Sequence, residues 1–265
     1  MRKRLWNSFK IAFSMYSRIP MPKSEWTEEN ISYAMCFFPL VGGVIGAITY
    51  GLFVLKGVAA SQGVLFSDLF WTILLLLVPI AITGGIHMDG FLDTQDAVSS
   101  YQPREKRLEI LKDSHAGAFA IISCAVYLLA YLGIYSSLTI RSVTVIAWSF
   151  LLSRSLSGLS VITFPQARKE GMAATFSQNA AKKASKRVLL IYVAIICSSM
   201  VLTGKILGIV AIVTAGLVFW YYYRMAMSKF GGITGDLAGY FLQMCELLMA
   251  ASVVIVDVIV KGLAV

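Results

Sequence analysis

The chain has few charged residues and few of the side chains that bind soft or borderline metals. Only 14% of its 265 residues are charged, 58% are hydrophobic, and it has two histidines and four cysteines. Each cysteine stands in a different apolar segment, so no spacing typical of a zinc site or a disulfide framework occurs. This composition excludes a cysteine-based metal centre and a charge-rich soluble domain, and it indicates an integral membrane protein.

Long apolar runs account for most of the remaining sequence. Several of them approach or pass the roughly 20 residues that a helix needs to cross a bilayer. They predict an all-α, polytopic transmembrane bundle of about seven spans, which forms a single membrane domain over residues 1–265. The predicted spans are 33–55, 68–86, 118–138, 142–163, 188–203, 206–223 and 237–260.

The basic residues are distributed unevenly along this pattern. If the N-terminus is cytoplasmic, 18 of the 23 Lys and Arg residues lie on the inside and four on the outside. Cytoplasmic loops are enriched in Lys and Arg, so the chain is predicted to lie in the cell membrane with its N-terminus in the cytoplasm. The net charge of +9 then reports topology rather than a nucleic-acid partner. Residues 1–22, with apolar side chains at helical spacing, are predicted to form an amphipathic helix on the lipid surface.

In this topology the polar and glycine-rich segments all fall on the cytoplasmic side, at 87–117, 164–187 and 224–239. The first contains Asp89, Asp93 and Asp96 directly after an apolar run, and helical spacing places these on one face. Two carboxylates about 6 Å apart repel by roughly 3 kcal/mol at an effective dielectric near 20. This aspartate stripe, formed by Asp89, Asp93 and Asp96, is therefore stable only if a cation binds it, protons neutralise it or it faces water.

Two more aspartates, Asp113 and Asp236, belong to the same cytoplasmic segments. Hard oxygen ligands in a chain with few Cys and His favour Mg²⁺ over zinc or copper. The glycine-rich turn at 231–235 opens a predicted helix and is typical of a backbone that binds phosphate. Together these residues predict a metal-dependent phosphoryl or nucleotidyl transfer at the inner membrane surface.

Three blocks of this sequence resemble the signature blocks of the cobalamin synthase family, also called adenosylcobinamide-GDP ribazoletransferase. They are TGGIHMDGFLDTQDAV from residue 83, REKRLEILKDSHAGAF from residue 104 and GGITGDLAGYFLQMCELL from residue 231. The stretches SRIPMP, LLSRSLSG and ARKEGMAATF extend the resemblance over nearly the whole chain in the same order. It implies a membrane-integral, Mg²⁺-dependent enzyme.

The resemblance also implies a reaction and its residues. Adenosylcobinamide phosphate would pass from adenosylcobinamide-GDP to α-ribazole or its 5′-phosphate, which releases GMP and forms adenosylcobalamin or its 5′-phosphate. Asp89, Asp93 and Asp96 would bind Mg²⁺, Asp113 or Asp236 would complete the metal site, and one carboxylate or His87 would accept the proton. The expected substrate contacts are Arg107, Lys112, Ser114, Arg154, Gly231, Gly232 and Thr234. For Arg154, alone in an apolar span, the expected partner is an aspartate or a substrate phosphate.

Partners and alternative functions remain open at this point. Beside the two substrates we expect membrane lipids, a homo-oligomer or other cobalamin-assembly enzymes as partners. A lipid phosphotransferase of the CDP-alcohol type is one alternative, although the motif D-x₂-D-G-x₂-A-R-x₈-G-x₃-D-x₃-D is absent. A cation transporter is another, although the carboxylates are predicted at one membrane face rather than at mid-span.

Overall fold

The computed structural model of the chain describes residues 1–113 and 115–263. Within these ranges the backbone is helical apart from connecting segments and one isolated parallel bridge between Gln166 and Ile233. The prediction of an all-α bundle is confirmed. The helices are α1 (Arg2–Tyr16), α2 (Glu28–Ile31), α3 (Ala34–Ser61), α4 (Asp68–Thr83), α5 (Ile86–Ser99), α6 (Arg104–Ile110), α7 (Ala118–Tyr135), α8 (Ile140–Thr163), α9 (Met172–Asn179), α10 (Lys182–Gly204), α11 (Ile206–Phe230) and α12 (Gly235–Gly262).

Six helices in the described part of the chain are each long and apolar enough to cross a membrane: α3, α7, α8, α10, α11 and α12. Helix α4 has 16 residues and meets this criterion only together with α5, from which it is bent by 92°. Because α5 carries three aspartates, surrounding it with lipid would be costly. We therefore treat α4 as the crossing segment and α5 as lying outside the membrane-spanning segments. Six or seven spans agree with the predicted number, and the cytoplasmic N-terminus stays a prediction.

Two of the spanning helices extend into basic segments that the sequence predicted to lie outside the membrane. Helix α10 begins at Lys182 rather than at residue 188, and α11 continues to Phe230 rather than ending at residue 223. Lys and Arg are good helix formers, and their long stems can lie along apolar surface while their charges reach water. The helices therefore continue past the apolar stretches, into the predicted segments 164–187 and 224–239.

Helix α8 is the most deeply buried span, because 72% of its 18-residue apolar stretch lies inside the protein. Two glycines on α3 allow a close contact between α3 and α8. A Cβ at Gly42 or Gly46 would overlap the backbone of α8 at Phe150 and Ala147. Small residues at such spacing let membrane helices approach backbone to backbone. The contact holds α3 and α8 together beneath the polar end of the bundle.

Helix α1 packs along α3 and ends next to this polar end. Ile11 and Phe13 are buried, whereas Trp6 is 54% exposed. The helix ends at Tyr16, and the amphipathic contact with the lipid surface predicted for residues 1–22 stays a prediction. At the end of α1, both the N–H and the hydroxyl of Ser17 donate to the carbonyl of Phe13, at 2.9 and 2.7 Å.

Candidate active site

Two consecutive glycines in the left-handed conformation separate α4 from α5. Gly84 has φ 66° and Gly85 has φ 83°, values that residues with a Cβ rarely adopt. The backbone N–H of Arg18 donates to the carbonyl of Ile82 at 2.7 Å, and the Arg18 side chain covers Gly84. The glycine pair turns the chain by 92° and starts α5 at the aspartate block.

Two further glycines bring α5 against the start of α12. A Cβ at Gly90 would lie 2.7 Å from the carbonyl oxygen of Asp236 and 2.8 Å from its Cα, and one at Gly239 would lie 3.0 Å from the carbonyl oxygen of His87. Larger side chains at these positions would force the helices apart. The two glycines therefore place Asp89 and Asp236 in the wall of one cavity.

Asp93 lies among other carboxylates on α5 and α12. Burial and, to a smaller extent, the charges of Asp89, Asp236 and Asp96 together raise the pKa of Asp93 to about 6. The prediction that the aspartates at 89, 93 and 96 share one helix is confirmed by α5. We refer to Asp89, Asp93 and Asp236 as the carboxylate group. Asp89 and Asp93 belong to the aspartate stripe on α5, whereas Asp236 comes from the predicted segment 224–239.

Asp96, the third aspartate of the stripe, is engaged with the start of α7. Its two carboxylate oxygens accept hydrogen bonds from the backbone N–H groups of Gly117, at 2.6 Å, and Ala120, at 2.8 Å. An acidic side chain that accepts from the first N–H groups of a helix stabilises its positive end. These hydrogen bonds position α7 against α5, and the metal-ligand role of Asp96 stays a prediction.

A first cavity of about 240 Å³ adjoins the carboxylate group at Asp89 and Asp236. Its other walls are largely apolar and include Tyr16, Phe38 and His87. The His87 ring stacks on Tyr16 with centroids 6.0 Å apart and meets Phe38 edge-on at 5.8 Å. His87 is 5% exposed, and its Nε2 is buried without a hydrogen-bond partner among the described residues. The cavity therefore joins an aromatic wall and an unused polar atom to the carboxylates.

A second cavity, of about 220 Å³, also reaches Asp236. Arg168 lines it and donates to the carbonyl of Leu108, while its Nε is buried without a partner in the described part. The first turns of α9 and α12 form the facing walls, and the N-terminus of α9, after Gly171, has no side-chain cap. Two helix N-termini and the Arg168 guanidinium favour an anion in this cavity, whereas the carboxylates of Glu170 and Asp236 in its lining oppose one unless a cation offsets their charge.

The three substrate contacts predicted in the glycine-rich turn have different surroundings in the structure. Thr234 lines the second cavity and caps α12, its hydroxyl accepting from the N–H of Leu237 at 3.2 Å. In contrast, the Arg104 guanidinium occupies the space where a Cβ of Gly231 would lie, and backbone at Ala167 packs against Gly232. The predicted approach of substrate to Gly231 and Gly232 is not supported, because the protein itself fills their open sides.

The connection between α6 and α7 does not join the carboxylate group. Asp113 is exposed, accepts from the N–H of His115 at 3.0 Å and lies 2.7 Å from its Nδ1, and these hydrogen bonds lower the pKa of Asp113. Of the two residues predicted to complete the metal site, the structure brings Asp236 to the stripe and not Asp113. Lys112 is exposed and Arg107 half-buried, and neither lines the two cavities. The predicted contact Ser114 lies outside the described residues.

Arg154 faces the interior of the bundle rather than the site. It is 1% exposed and donates to the Glu246 carboxylate on α12, to the carbonyl of Phe150 at 3.1 Å and to the hydroxyl of Ser153 at 3.2 Å. The predicted pairing with an aspartate or a substrate phosphate is therefore wrong. Glu246, itself 3% exposed, supplies the countercharge that a buried arginine requires.

The carboxylates of the site can supply only some of the ligands that a metal ion needs. Within residues 1–113 and 115–263, no three His, Cys, Asp or Glu side chains converge to hold a metal ion. The carboxylate group nevertheless presents hard oxygen donors whose mutual repulsion a cation would offset. Mg²⁺ is commonly bound through one or two carboxylates together with substrate phosphates. The arrangement fits an ion shared with a phosphate substrate, and does not fit one held by the protein alone.

Sequence reasoning missed Tyr16, Arg168 and Glu246. Glu246 could have been found, since a lone arginine in one apolar span requires an acid in another, and Glu246 stands inside the span 237–260. Arg168 lies in ARKEGMAATF, a stretch that carries the family resemblance, but no role was predicted for this arginine. Nothing in the sequence pattern distinguishes Tyr16 from other apolar residues of α1.

Comparisons with known proteins identify the family of the chain. Residues 8–254 match the family model described as cobalamin-5-phosphate synthase. A protein of Lachnoclostridium phytofermentans is 49% identical over 97% of both chains, and one of Desulfitobacterium hafniense is 32% identical over 93% of this chain and 94% of its own. Both relatives are named adenosylcobinamide-GDP ribazoletransferase. The comparison with solved structures found no match. The chain belongs to the cobalamin-5-phosphate synthase family.

Proposed function

We propose that this protein transfers adenosylcobinamide phosphate from adenosylcobinamide-GDP to α-ribazole or its 5′-phosphate, with Mg²⁺ as cofactor. The names of its relatives support the substrates. The observation that carries the proposal is the position of the carboxylate group, where two cavities meet at Asp236. A two-substrate transfer needs such a junction, because acceptor and donor must meet at one phosphorus atom.

The bond changes are those of a phosphoryl substitution. A ribose hydroxyl oxygen of the acceptor bonds to the phosphorus that carries cobinamide, and the bond from that phosphorus to the bridging oxygen of the diphosphate breaks. GMP leaves with the bridging oxygen. The hydroxyl proton passes to Asp89, which lines the first cavity beside Asp236. The sequence left His87 as the alternative proton acceptor.

Asp93 and Asp236 would hold Mg²⁺ together with phosphate oxygens of the donor. When bound, the ion supplies positive charge to the phosphate oxygens and to the leaving GMP. Arg168 and the N-termini of α9 and α12 bind the diphosphate from the second cavity, with charge-assisted hydrogen bonds from the guanidinium. Asp96 keeps α7 in place against α5.

The cavity sizes limit which parts of the substrates enter. At about 240 and 220 Å³, both cavities are smaller than the roughly 300–1,000 Å³ typical of sites for drug-sized ligands. The reacting ends of the two substrates enter them, and the corrin ring stays outside the two cavities. Binding energy from the corrinoid would then come from surfaces around their openings.

The decisive experiment is GMP release by the purified protein with Mg²⁺, adenosylcobinamide-GDP and α-ribazole. We expect release that requires the corrinoid and the acceptor, and a loss of at least about 100-fold in Asp236→Asn, whose position is critical to both cavities. Asp68→Asn is the matched control, because Asp68 is an exposed aspartate at the start of α4 that pairs with Lys56. No corrinoid-dependent GMP, or turnover of a CDP-alcohol instead, contradicts the proposal.

We further propose that the site faces the cytoplasm of a cell membrane, which the uneven distribution of Lys and Arg supports. The test is labelling of single introduced cysteines in whole cells with a membrane-impermeant maleimide. Lys169→Cys, beside the second cavity, should react only after the cells are opened, whereas Leu65→Cys, 81% exposed between α3 and α4, should react in intact cells. The reverse pattern contradicts the orientation.

A further inference from the structure

The first cavity has a composition that distinguishes it from the second. Apart from Asp89 and Asp236, its walls are mostly aromatic rings, methionines and aliphatic side chains. Besides the carboxylates, the polar side chains in these walls include His87 and Ser157, which are 5% and 1% exposed. A cavity of this kind binds a flat, mainly apolar group with one or two hydrogen-bonding atoms.

His87 carries the second observation that points to a ligand. Its Nε2 is buried without a partner among the described residues, and an unsatisfied buried polar atom costs roughly 1–3 kcal/mol. The ring packs against both Tyr16 and Phe38, whose centroids lie 4.3 Å from each other, and these contacts restrict its rotation towards water. His87 lines the cavity, and in the tautomer with its proton on Nε2 it has one N–H donor that no described residue accepts.

We propose that the first cavity binds the heteroaromatic base of the acceptor nucleoside, with Tyr16 against its ring face and His87 Nε2–H donating to its unsubstituted ring nitrogen. This inference rests on the proposed function, which supplies the two nucleosides between which the cavity must discriminate. Tyr16 and His87 are therefore specificity-determining residues for the lower base. With the base here, the sugar of the same molecule extends to Asp89 and Asp236.

The alternative occupant is guanine from the leaving nucleotide. Guanine carries a carbonyl, an amino group, a ring N–H and further ring nitrogens, all of which need hydrogen-bond partners. The largely apolar walls would leave several of these unpaired, and each unpaired group costs roughly 1–3 kcal/mol. A benzimidazole-type base has one unsubstituted ring nitrogen, which matches the single His87 donor. The polarity of the walls therefore favours the acceptor base.

Equilibrium binding to the purified full-length protein, without turnover, separates these occupants. We expect Tyr16→Leu, which keeps apolar volume but removes the ring, to weaken α-ribazole binding by about tenfold, as stacking of a base on an aromatic side chain contributes. Binding of GMP should change less than twofold. Tyr50→Leu is the matched control, since Tyr50 is 39% exposed on α3 and lines neither cavity. A loss of GMP binding with unchanged α-ribazole binding assigns the cavity to guanine and overturns the proposal.

The hydrogen bond has its own test with a second ligand. His87→Phe should weaken binding of α-ribazole by about tenfold, because a ring remains but the donor is lost. Binding of the matching indole riboside, which lacks the accepting ring nitrogen, should be the same in wild type and variant. Equal losses for both ligands, or no loss for either, refute the role of His87 as donor.

Folding and activity are read separately from this binding. Each variant is checked for a cooperative thermal transition, and if His87→Phe lacks one, the Tyr16→Leu comparison decides the proposal alone. If the wild type binds α-ribazole through Tyr16 but releases no GMP, the proposed function fails and this inference stands. If GMP is released but Tyr16→Leu binds α-ribazole like wild type, only this inference fails.

Discussion

Replacing Gly90 by alanine tests whether the contact between α5 and α12 aligns the carboxylate group. The added Cβ would lie 2.7 Å from the carbonyl oxygen of Asp236 and 2.8 Å from its Cα, against about 3.5–4.0 Å for an ordinary contact. Because both atoms belong to backbone, the helices must separate by roughly 1 Å, which costs about 1–3 kcal/mol. A displacement of this size at a reacting centre reduces the rate by about 100-fold.

The assay measures GMP release and thermal unfolding in the same detergent preparation. Gly216→Ala is the matched control, because a Cβ at Gly216 in α11 meets no atom within 4 Å. Alanine there should raise stability by up to about 1 kcal/mol and leave the rate unchanged. If Gly90→Ala unfolds and turns over like Gly216→Ala, the close contact does not position the site and the geometric argument is refuted.

Three further perturbations act on separate parts of the molecule. The pKa of Asp93 is raised from 3.8 to about 6 in the folded protein, so ionisation of Asp93 destabilises the fold progressively between about pH 4 and 6 and fully above that range. Metal-free Asp93→Asn should therefore be more stable than wild type by roughly 1 kcal/mol at pH 7–8 after screening by solvent, with the difference vanishing below about pH 3 and no added stability from Mg²⁺; equal thermal scans at all pH values would refute this. Arg168→Gln should weaken GMP binding by about tenfold or more at equilibrium while Lys169→Gln, at an exposed neighbour, does not; equal affinities would remove Arg168 from the phosphate site. Glu246→Gln should destabilise the fold by about 3–5 kcal/mol because Arg154 is left buried and unpaired, and replacing both by methionine should restore most of the transition temperature; a mild single variant would contradict the account.

Much of the fold follows from local pattern. Apolar runs located the spans, and the helical spacing of Asp89, Asp93 and Asp96 placed them on one helix, which α5 confirms. The helix ends were less accurate, because α10 and α11 continue into basic residues that form helix as readily as apolar ones. The predicted span 68–86 also included Gly84 and Gly85, which in the structure form the turn after α4 ends at Thr83.

The candidate site was predicted less completely than the fold. Three of its carboxylates were selected correctly as members of one cluster, since Asp89, Asp93 and Asp236 come together in the structure. Asp96 and Arg154 carry the right chemistry for a site but are engaged elsewhere, one with a helix end and the other with Glu246. Local sequence does not distinguish a carboxylate that binds substrate from one that caps a helix.

The sequence by itself determined the membrane class, the helical composition, the cluster of aspartates and the family, because each of these depends on residue types and spacings along the chain. Only the tertiary structure decided which carboxylates meet, that Tyr16 and Arg168 line the cavities beside them, and that Arg154 is neutralised within the bundle. Those contacts join residues far apart in the chain. They depend on how closely glycines such as Gly90 let two helices approach, a distance that no periodicity along one helix specifies.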